Sequence, residues 1–210
     1  MGKKSRARGM PKRRQPKRDS YDRVLIVCEG SKTEPYYFQA LIDYFKLNSA
    51  NVVVCGDSGS APKSVVQYAK RQQRTDPDFD HIYCVFDRDE HTSYTEALRN
   101  IQDAKPSGLF YAANSVPCFE YWLLLHLSYS NKPYARSGKR SPAAQAEADL
   151  KKLLPEYMKG NRQILSKFIE KIDSAIENAE RANRQAKRND TDNPSTQVHK
   201  LVAYLRDLKK

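Results

Sequence analysis

The sequence predicts an α/β fold in which a mainly parallel four-stranded sheet is flanked by helices and followed by a C-terminal helical extension. Two observations support this prediction. Short apolar segments alternate with amphipathic segments between residues 21 and 113, and only helical periodicity follows. The length of 210 residues, with 39% hydrophobic and 30% charged residues, suits a single soluble domain with a sizeable core.

The first half of the chain alternates strand and helix patterns, beginning with the β-branched segment RVLIVC. Four apolar segments of this kind are predicted strands: residues 23–28, 51–55, 80–86 and 108–113. Three amphipathic segments between them are predicted helices: residues 35–46, 60–74 and 93–103. Because a helix separates each strand from the next, the order predicts parallel strands with right-handed crossovers and helices on both faces.

The second half is predicted to be helical, with helices at residues 117–127, 143–154, 161–188 and 195–208. A loop rich in proline, glycine, serine and basic residues occupies positions 130–142. The apolar stripe of residues 161–188 predicts one long helix. We therefore divide the chain into an α/β core, residues 21–127, and a loop and helical extension packed on it, residues 128–210.

The formal net charge of +12 lies mostly at the N-terminus. Residues 1–18 contain nine basic side chains and no acidic one, whereas the rest of the chain contains 28 basic and 25 acidic residues. Residues 1–20 are therefore predicted to form a disordered basic arm. Such an arm either binds phosphates through charge alone or only keeps the protein soluble.

Composition also excludes several classes of protein. No apolar segment approaches the roughly 20 residues of a membrane span, and the basic N-terminus lacks the apolar stretch of a secretion signal. The four cysteines stand singly, without the paired spacing of a zinc site. We expect a cytoplasmic protein with no membrane partner.

Acidic residues follow two of the predicted strands, at the point where each strand ends. Glu29 comes directly after the first strand, beside Gly30, which gives the backbone freedom to turn. Asp87 and Asp89 follow the third strand. The carboxyl ends of parallel strands meet at one edge of a sheet, where ligands bind. Since Mg²⁺ and Mn²⁺ favour carboxylate oxygens, these three acids predict a metal site at this edge.

Glu34 and Lys32, in the loop after the first strand, have two interpretations each. Thr33 is the predicted cap of the following helix, with Pro35 in its first turn. Glu34 is then either an ordinary acid at the positive end of the helix or a further metal ligand. Lys32 is either a solvated lysine or a phosphate contact.

Glu120 and His126 are polar residues in the otherwise apolar predicted helix at 117–127. A buried carboxylate is costly unless a cation, a metal or hydrogen bonds compensate it. Glu120 is therefore a candidate metal ligand or a support for the ligands. His126 lies about 120° around the helix from Glu120, so it is predicted to stack near Trp122 rather than share the ligand of Glu120.

Two groups of basic residues are candidate contacts for nucleic acid. They are Arg181, Arg184, Lys187 and Arg188 near the end of the long helix, and Arg136, Lys139 and Arg140 in the loop. In the helix, residues 181, 184 and 188 share a face. The alternative is that this basic helix end only complements the helix dipole.

Four motifs occur in order along the chain. They are EGSKTEPYYF from Glu29, FDRDE from Phe86, PCFEYW from Pro117 with His126, and NPSTQVH from Asn193. Together they resemble RloB-like proteins, a bacterial family with a Toprim-type domain that is linked to restriction loci and phage defence. The resemblance spans about residues 21–208 and implies a Toprim-like sheet. It also implies Mg²⁺- or Mn²⁺-dependent phosphodiester chemistry, with Glu29, Asp87 and Asp89 as catalytic acids.

The acids and the resemblance together predict a metal-dependent nuclease acting on RNA, tRNA or DNA, in phage defence or restriction-linked abortive infection. Arg88 or Lys32 would add positive charge near the phosphate, and His126 is a further candidate support of the site. No GxxxxGK[ST] motif is present, so any ATPase would be a separate restriction-system partner. The alternatives are a non-catalytic subunit that binds nucleic acid or a partner through a degenerate site, and a nucleotidyl transferase.

Overall fold

The computed structural model describes residues 22–56 and 58–208, so the predicted arm at residues 1–20 lies outside the described part. The strands are β1 (Val24–Cys28), β2 (Val52–Cys55), β3 (His81–Val85), β4 (Phe110–Ala112), β5 (Ser115–Val116) and β6 (Ser195–Thr196). The helices are α1 (Thr33–Tyr44), α2 (Pro62–Thr75), α3 (Tyr94–Gln102), α4 (Phe119–Leu127), α5 (Pro142–Leu153), α6 (Arg162–Ile169), α7 (Ile172–Arg188) and α8 (Val198–Asp207). Among these described helices, none is long and apolar enough to cross a membrane.

The four longer strands form one parallel sheet in the order β2-β1-β3-β4. Val24 of β1 pairs with Val52 on one side and with His81 on the other, so the neighbouring strands end at the same edge. Both central strands are buried almost throughout, as their uninterrupted apolar sequences predict. The predicted α/β fold, with a four-stranded parallel sheet flanked by helices, is confirmed.

Alternate side chains of the central strands face two separate cores. Leu25 points to the side where α2 and α3 contribute residues such as Val65 and Ala97. Ile26 points to the other side, where the core includes α1, Trp122 of α4 and apolar residues of α5 to α8. The C-terminal helices therefore share the core that covers one face of the sheet.

The segment 161–188 forms two helices, so the prediction of one long helix is wrong. Lys171 leaves the helical conformation at φ −109° and ψ 21°, and its N–H bonds to Phe168 O at 3.0 Å. The break lets α6 pack against α1 while α7 packs against α4. One straight helix with the same apolar stripe could not follow both partners.

The last predicted helix also begins later than expected, because residues 195–196 form a strand. Ser195 and Thr196 pair antiparallel with Val116 and Ser115. Asn183 of α7 holds this strand through both amide atoms, at 2.8 Å to Thr196 O and 3.1 Å from Thr196 N. Strand pairing and Asn183 thus give backbone groups of residues 195–196 their hydrogen-bond partners outside a helix.

Candidate metal centre

Four carboxylates meet at the carboxyl edge of the sheet. Glu29 follows β1, Asp87 follows β3, and Glu34 and Glu120 lie in the first turns of α1 and α4. The aligned strand ends are joined here by a hydrogen bond of 3.0 Å from Glu29 N to Val85 O. We call Glu29, Glu34, Asp87 and Glu120 the carboxylate cluster. The cluster contains two predicted ligands, Glu29 and Asp87. It also contains Glu34 and Glu120, whose role the sequence left open.

Asp87 lies at the centre of this cluster. Burial, followed by the charges of Glu34, Glu120 and Glu29, raises the pKa of Asp87 well above its ordinary value. Ligand atoms of Asp87, Glu120 and Cys118 lie within 4.8 Å of one another. Burial also raises the pKa of the Cys118 thiol, which disfavours its thiolate in the metal-free protein, and the other donors are carboxylate oxygens. The oxygen donors therefore fit a hard divalent cation better than a thiolate-bound metal.

Glu29 is held by a partner on each carboxylate oxygen. Its Oε2 accepts a hydrogen bond of 3.1 Å from the backbone N–H of Asp87, and its Oε1 lies 3.1 Å from His91 Nε2. Burial nevertheless raises the pKa of Glu29. Sequence reasoning missed His91, although its place two residues after Asp89, in the loop that ends β3, was a usable signal.

Glu34 folds back over Gly30. A Cβ atom at Gly30 would lie 2.3 Å from Glu34 Oε2, so glycine leaves the space that this carboxylate fills. Burial, helped by the neighbouring carboxylates, raises the pKa of Glu34 to about 7. The prediction that Thr33 caps α1 is wrong, because the helix begins at Thr33 itself. Its Oγ1 instead accepts a hydrogen bond of 3.1 Å from Gly160 N.

Glu120 is buried, and residues between α5 and α6 compensate its charge. Tyr157 donates a hydrogen bond of 3.1 Å to Glu120 Oε1, and Lys159 Nζ lies 2.9 Å from the same oxygen. Lys159 Nζ is also 3.4 Å from Glu147 on α5. Sequence reasoning missed Tyr157 and Lys159, since neither belongs to a motif or a periodic pattern.

One family model matches the chain over nearly its whole length. The family model described as RloB-like protein matches residues 24–205. The chain belongs to the RloB-like family. The match includes the sheet, the carboxylate cluster and the helices that contact it. No curated protein and no solved structure matches the chain.

The third predicted ligand of this RloB-like protein, Asp89, is turned towards α5. Its Oδ1 accepts a hydrogen bond of 3.1 Å from the backbone N–H of Ala143, in the first turn of that helix. Asp89 has a left-handed backbone, with φ of 28°. It remains within electrostatic range of Glu29, whose pKa it helps to raise. The structure therefore places Asp89 beside the carboxylate cluster, with one oxygen already engaged.

Two predicted phosphate contacts of the RloB-like protein have other neighbours. Arg88 forms an ion pair with Asp192, between α7 and β6. Lys32 is exposed, and its aliphatic chain lies against Gly160. Neither side chain forms an ion pair with the cluster within the described residues.

His126 lies in the core behind the cluster. Its ring is in edge-to-face contact with Trp122, with centroids 4.6 Å apart, which confirms the predicted neighbour. Its Nδ1 is 3.0 Å from Trp122 O and its Nε2 is 3.0 Å from Tyr37 Oη. Burial lowers the pKa of His126 to about 3, so the ring is neutral at physiological pH. Through these contacts His126 links α4 to Tyr37 of α1 in the core.

The predicted nucleic-acid contacts fall into two groups. Three have partners: Arg136 pairs with Glu90, Arg184 lies 3.5 Å from Glu180, and Arg181 lies 4.0 Å above the ring of Tyr129. Four others are exposed and form no ion pair in the part of the chain that the structure describes: Lys139, Arg140, Lys187 and Arg188. The latter group is available to a phosphate backbone without breaking an existing pair.

Proposed function

We propose that this RloB-like protein is a nuclease that depends on Mg²⁺ or Mn²⁺. The observation that carries the proposal is the convergence of four carboxylates from four elements at one edge of a parallel sheet. Within the described residues, Lys159 and His91 are the only basic side chains within ion-pair distance of the cluster. Bringing so many acids together is costly unless a cation compensates them. A divalent cation would supply that charge and would be held mainly by carboxylate oxygens.

The residues of the cluster suggest how phosphodiester hydrolysis would proceed. A bound Mg²⁺ or Mn²⁺ would stabilise negative charge on the scissile phosphate and make a bound water more acidic. Asp87, at the centre, would be the principal ligand, with Glu34 and Glu120 beside it. Asp89 would contribute through Oδ2, because its Oδ1 accepts the hydrogen bond from Ala143 N.

Glu29 is the best candidate for a general base. Its carboxylate is fixed by Asp87 N and by His91 Nε2, which lies 3.1 Å from Oε1, and this carboxylate would accept the proton of a water. A raised pKa brings Glu29 closer to the range in which a base is effective near neutral pH. His91 would position this carboxylate, which is the role that the 3.1 Å contact supports.

The substrate class in this proposal is RNA, tRNA or DNA, bound through phosphates by the exposed basic residues at 139–140 and 187–188. Such contacts bind nucleic acid of many sequences, so they would position a strand rather than select it. The cellular role we propose is phage defence or restriction-linked abortive infection in the cytoplasm. Any ATPase would act as a separate partner.

The test is cleavage of end-labelled RNA, tRNA, single-stranded DNA and double-stranded DNA with Mn²⁺, Mg²⁺ or EDTA. The wild type is compared with Asp87→Asn and Glu29→Gln, and with Asp43→Asn as an exposed control on α1. We expect metal-dependent shortening by the wild type and the control, and a loss of at least about a hundredfold in both cluster variants. Growth of the product when nucleoside triphosphates are supplied would instead indicate nucleotidyl transfer.

A non-catalytic binding subunit is the second candidate, and two contacts favour it. Asp89 Oδ1 is bound by Ala143 N, and Glu120 is already paired with Lys159. A degenerate site would retain such internal compensation without using metal. Binding of nucleic acid by the wild type with no metal-dependent cleavage in any pool would support this candidate against the nuclease.

A further inference from the structure

The segment between α5 and α6, residues 154–161, is attached to Glu120 of the carboxylate cluster and to the start of α1. Tyr157 donates a hydrogen bond to Glu120, and Gly160 N donates one to Thr33 Oγ1 at the start of α1. Gly160 has φ of 72°, and a Cβ atom there would lie 2.9 Å from Lys32 Cβ. The backbone of this segment is thus closely fitted against α1, and Lys159 projects from it towards the acids.

Lys159 and Glu120 form an ion pair whose two side chains differ strongly in exposure to solvent. The side chain of Glu120 is 4% exposed, whereas that of Lys159 is 54% exposed. A buried carboxylate cannot reach water without unfolding its surroundings, but a lysine can move its ammonium group through a flexible four-carbon chain. When the pair separates, Lys159 is therefore the partner that moves.

Glu147 is a second acid that the ammonium group of Lys159 can contact. Glu147 Oε2 lies 3.4 Å from Lys159 Nζ, on the side of α5, and the side chain of Glu147 is more exposed than that of Glu120. Although burial alone would lower the pKa of Lys159, the neighbouring Glu120 and Glu147 together raise it. The ammonium group is therefore charged in this arrangement, with both acids within reach of Nζ.

A divalent cation and this ammonium group exclude each other at Glu120. The lysine nitrogen is 2.9 Å from Oε1, which is the oxygen that Tyr157 also contacts. A cation bound to that oxygen would lie a few ångströms from a like charge in a partly dry site, where repulsion is only weakly screened. Occupation of Glu120 by one cation therefore requires withdrawal of the other.

We propose that Lys159 is a tethered counterion, which compensates Glu120 when no metal is bound and competes with the divalent cation for that carboxylate. This inference rests on the proposed metal site and adds its regulation by the chain itself. It explains why the buried carboxylate of Glu120 has a charged partner in the metal-free protein. By this competition, Lys159 lowers the affinity of the site for the divalent cation.

The experiment is calorimetric titration of the metal-free full chain with Mn²⁺ at pH 7.5. The wild type is compared with Lys159→Met and with Lys159→Gln, which keeps a hydrogen-bond donor without the charge and serves if the methionine variant does not fold. Lys152→Met is the matched control, because Lys152 lies on the same helix α5 and pairs with Asp149 at 2.6 Å, and that pair includes neither Glu147 nor an acid of the cluster. We expect both Lys159 variants to bind Mn²⁺ about tenfold or more tightly than the wild type, and the control to bind as the wild type does.

Wild-type or weaker affinity in a folded Lys159 variant would overturn the proposal. Cleavage is measured on the same samples, so the two proposals fail separately. Tighter Mn²⁺ binding without cleavage in any form would support the counterion and contradict the nuclease. Unchanged affinity with metal-dependent cleavage would contradict the counterion alone. Absence of Mn²⁺ binding in every form would overturn both.

Discussion

Replacing Glu34 by glutamine should stabilise the metal-free protein at alkaline pH and leave its stability near pH 4.5 unchanged. Burial raises the pKa of Glu34 from 4.5 to about 7, so the folded protein binds this proton more tightly than the unfolded chain. The resulting stabilisation is fully present below pH 4.5 and is lost as the pH rises through about 7. Glutamine has nearly the same shape and no proton to lose.

The size of the effect follows from the displacement of the pKa. One pKa unit corresponds to about 1.4 kcal/mol. The difference between the pKa of Glu34 in the unfolded chain, 4.5, and in the folded protein, about 7, therefore changes the free energy of unfolding by on the order of 3 kcal/mol. The pKa of Asp87 is displaced in the same direction. The Glu34→Gln variant should therefore retain part of the wild-type pH dependence rather than lose all of it.

The assay is urea denaturation in EDTA between pH 4.5 and pH 8, followed by the fluorescence of Trp122, which is the only tryptophan in the chain and is buried. Glu170→Gln is the control, because it removes an equal charge from an exposed position after α6. The informative quantity is the difference between variant and wild type at each pH. An equal pH dependence in Glu34→Gln and the wild type would refute the argument that Glu34 is buried among other carboxylates.

Three further substitutions test the surroundings of the cluster by the same denaturation assay. Tyr37→Phe should lower the free energy of unfolding by about 1–3 kcal/mol, because His126 Nε2 loses its buried donor; no change would contradict that contact. Asp89→Ala should cost about 1 kcal/mol through the lost bond to α5, and Asp89→Asn, which keeps an acceptor, should cost less; equal losses would exclude this role. Gly160→Ala should cost about 1 kcal/mol or more, since alanine disfavours φ of 72° and its Cβ would crowd Lys32; full stability would show that the segment can shift.

The parts of the fold that the sequence predicted correctly depend on local signals. A strand buried on both faces needs an uninterrupted apolar segment such as Val24–Cys28, and its end is marked where Glu29 and Gly30 begin. Parallel order then places all strand ends on one edge, so Glu29 and Asp87 could be assigned to one site without knowledge of side-chain contacts. Local sequence was sufficient for these two acids.

The features that the sequence did not predict depend on partners far along the chain. The break at Lys171 leaves the apolar period of α6 and α7 intact, so only the two packing partners, α1 and α4, reveal it. Ser195 and Thr196 become a strand because residues 115–116 pair with them. Lys159 is an ordinary lysine until folding brings it to Glu120. Such contacts have no periodic or compositional signature.

The helical extension is part of the proposed site and not merely a cover for the sheet. The sheet edge and the first turns of α1 and α4 supply all four acids, and the positive ends of those two helices offset only part of their charge. Lys159 and Tyr157, which satisfy Glu120, come from residues beyond α5. A chain ending at residue 127 would keep every carboxylate of the cluster and lose both groups that make Glu120 tolerable in its buried position. The sheet edge and helices α1 and α4 therefore assemble the acids, and the extension compensates the one that is most deeply buried, Glu120.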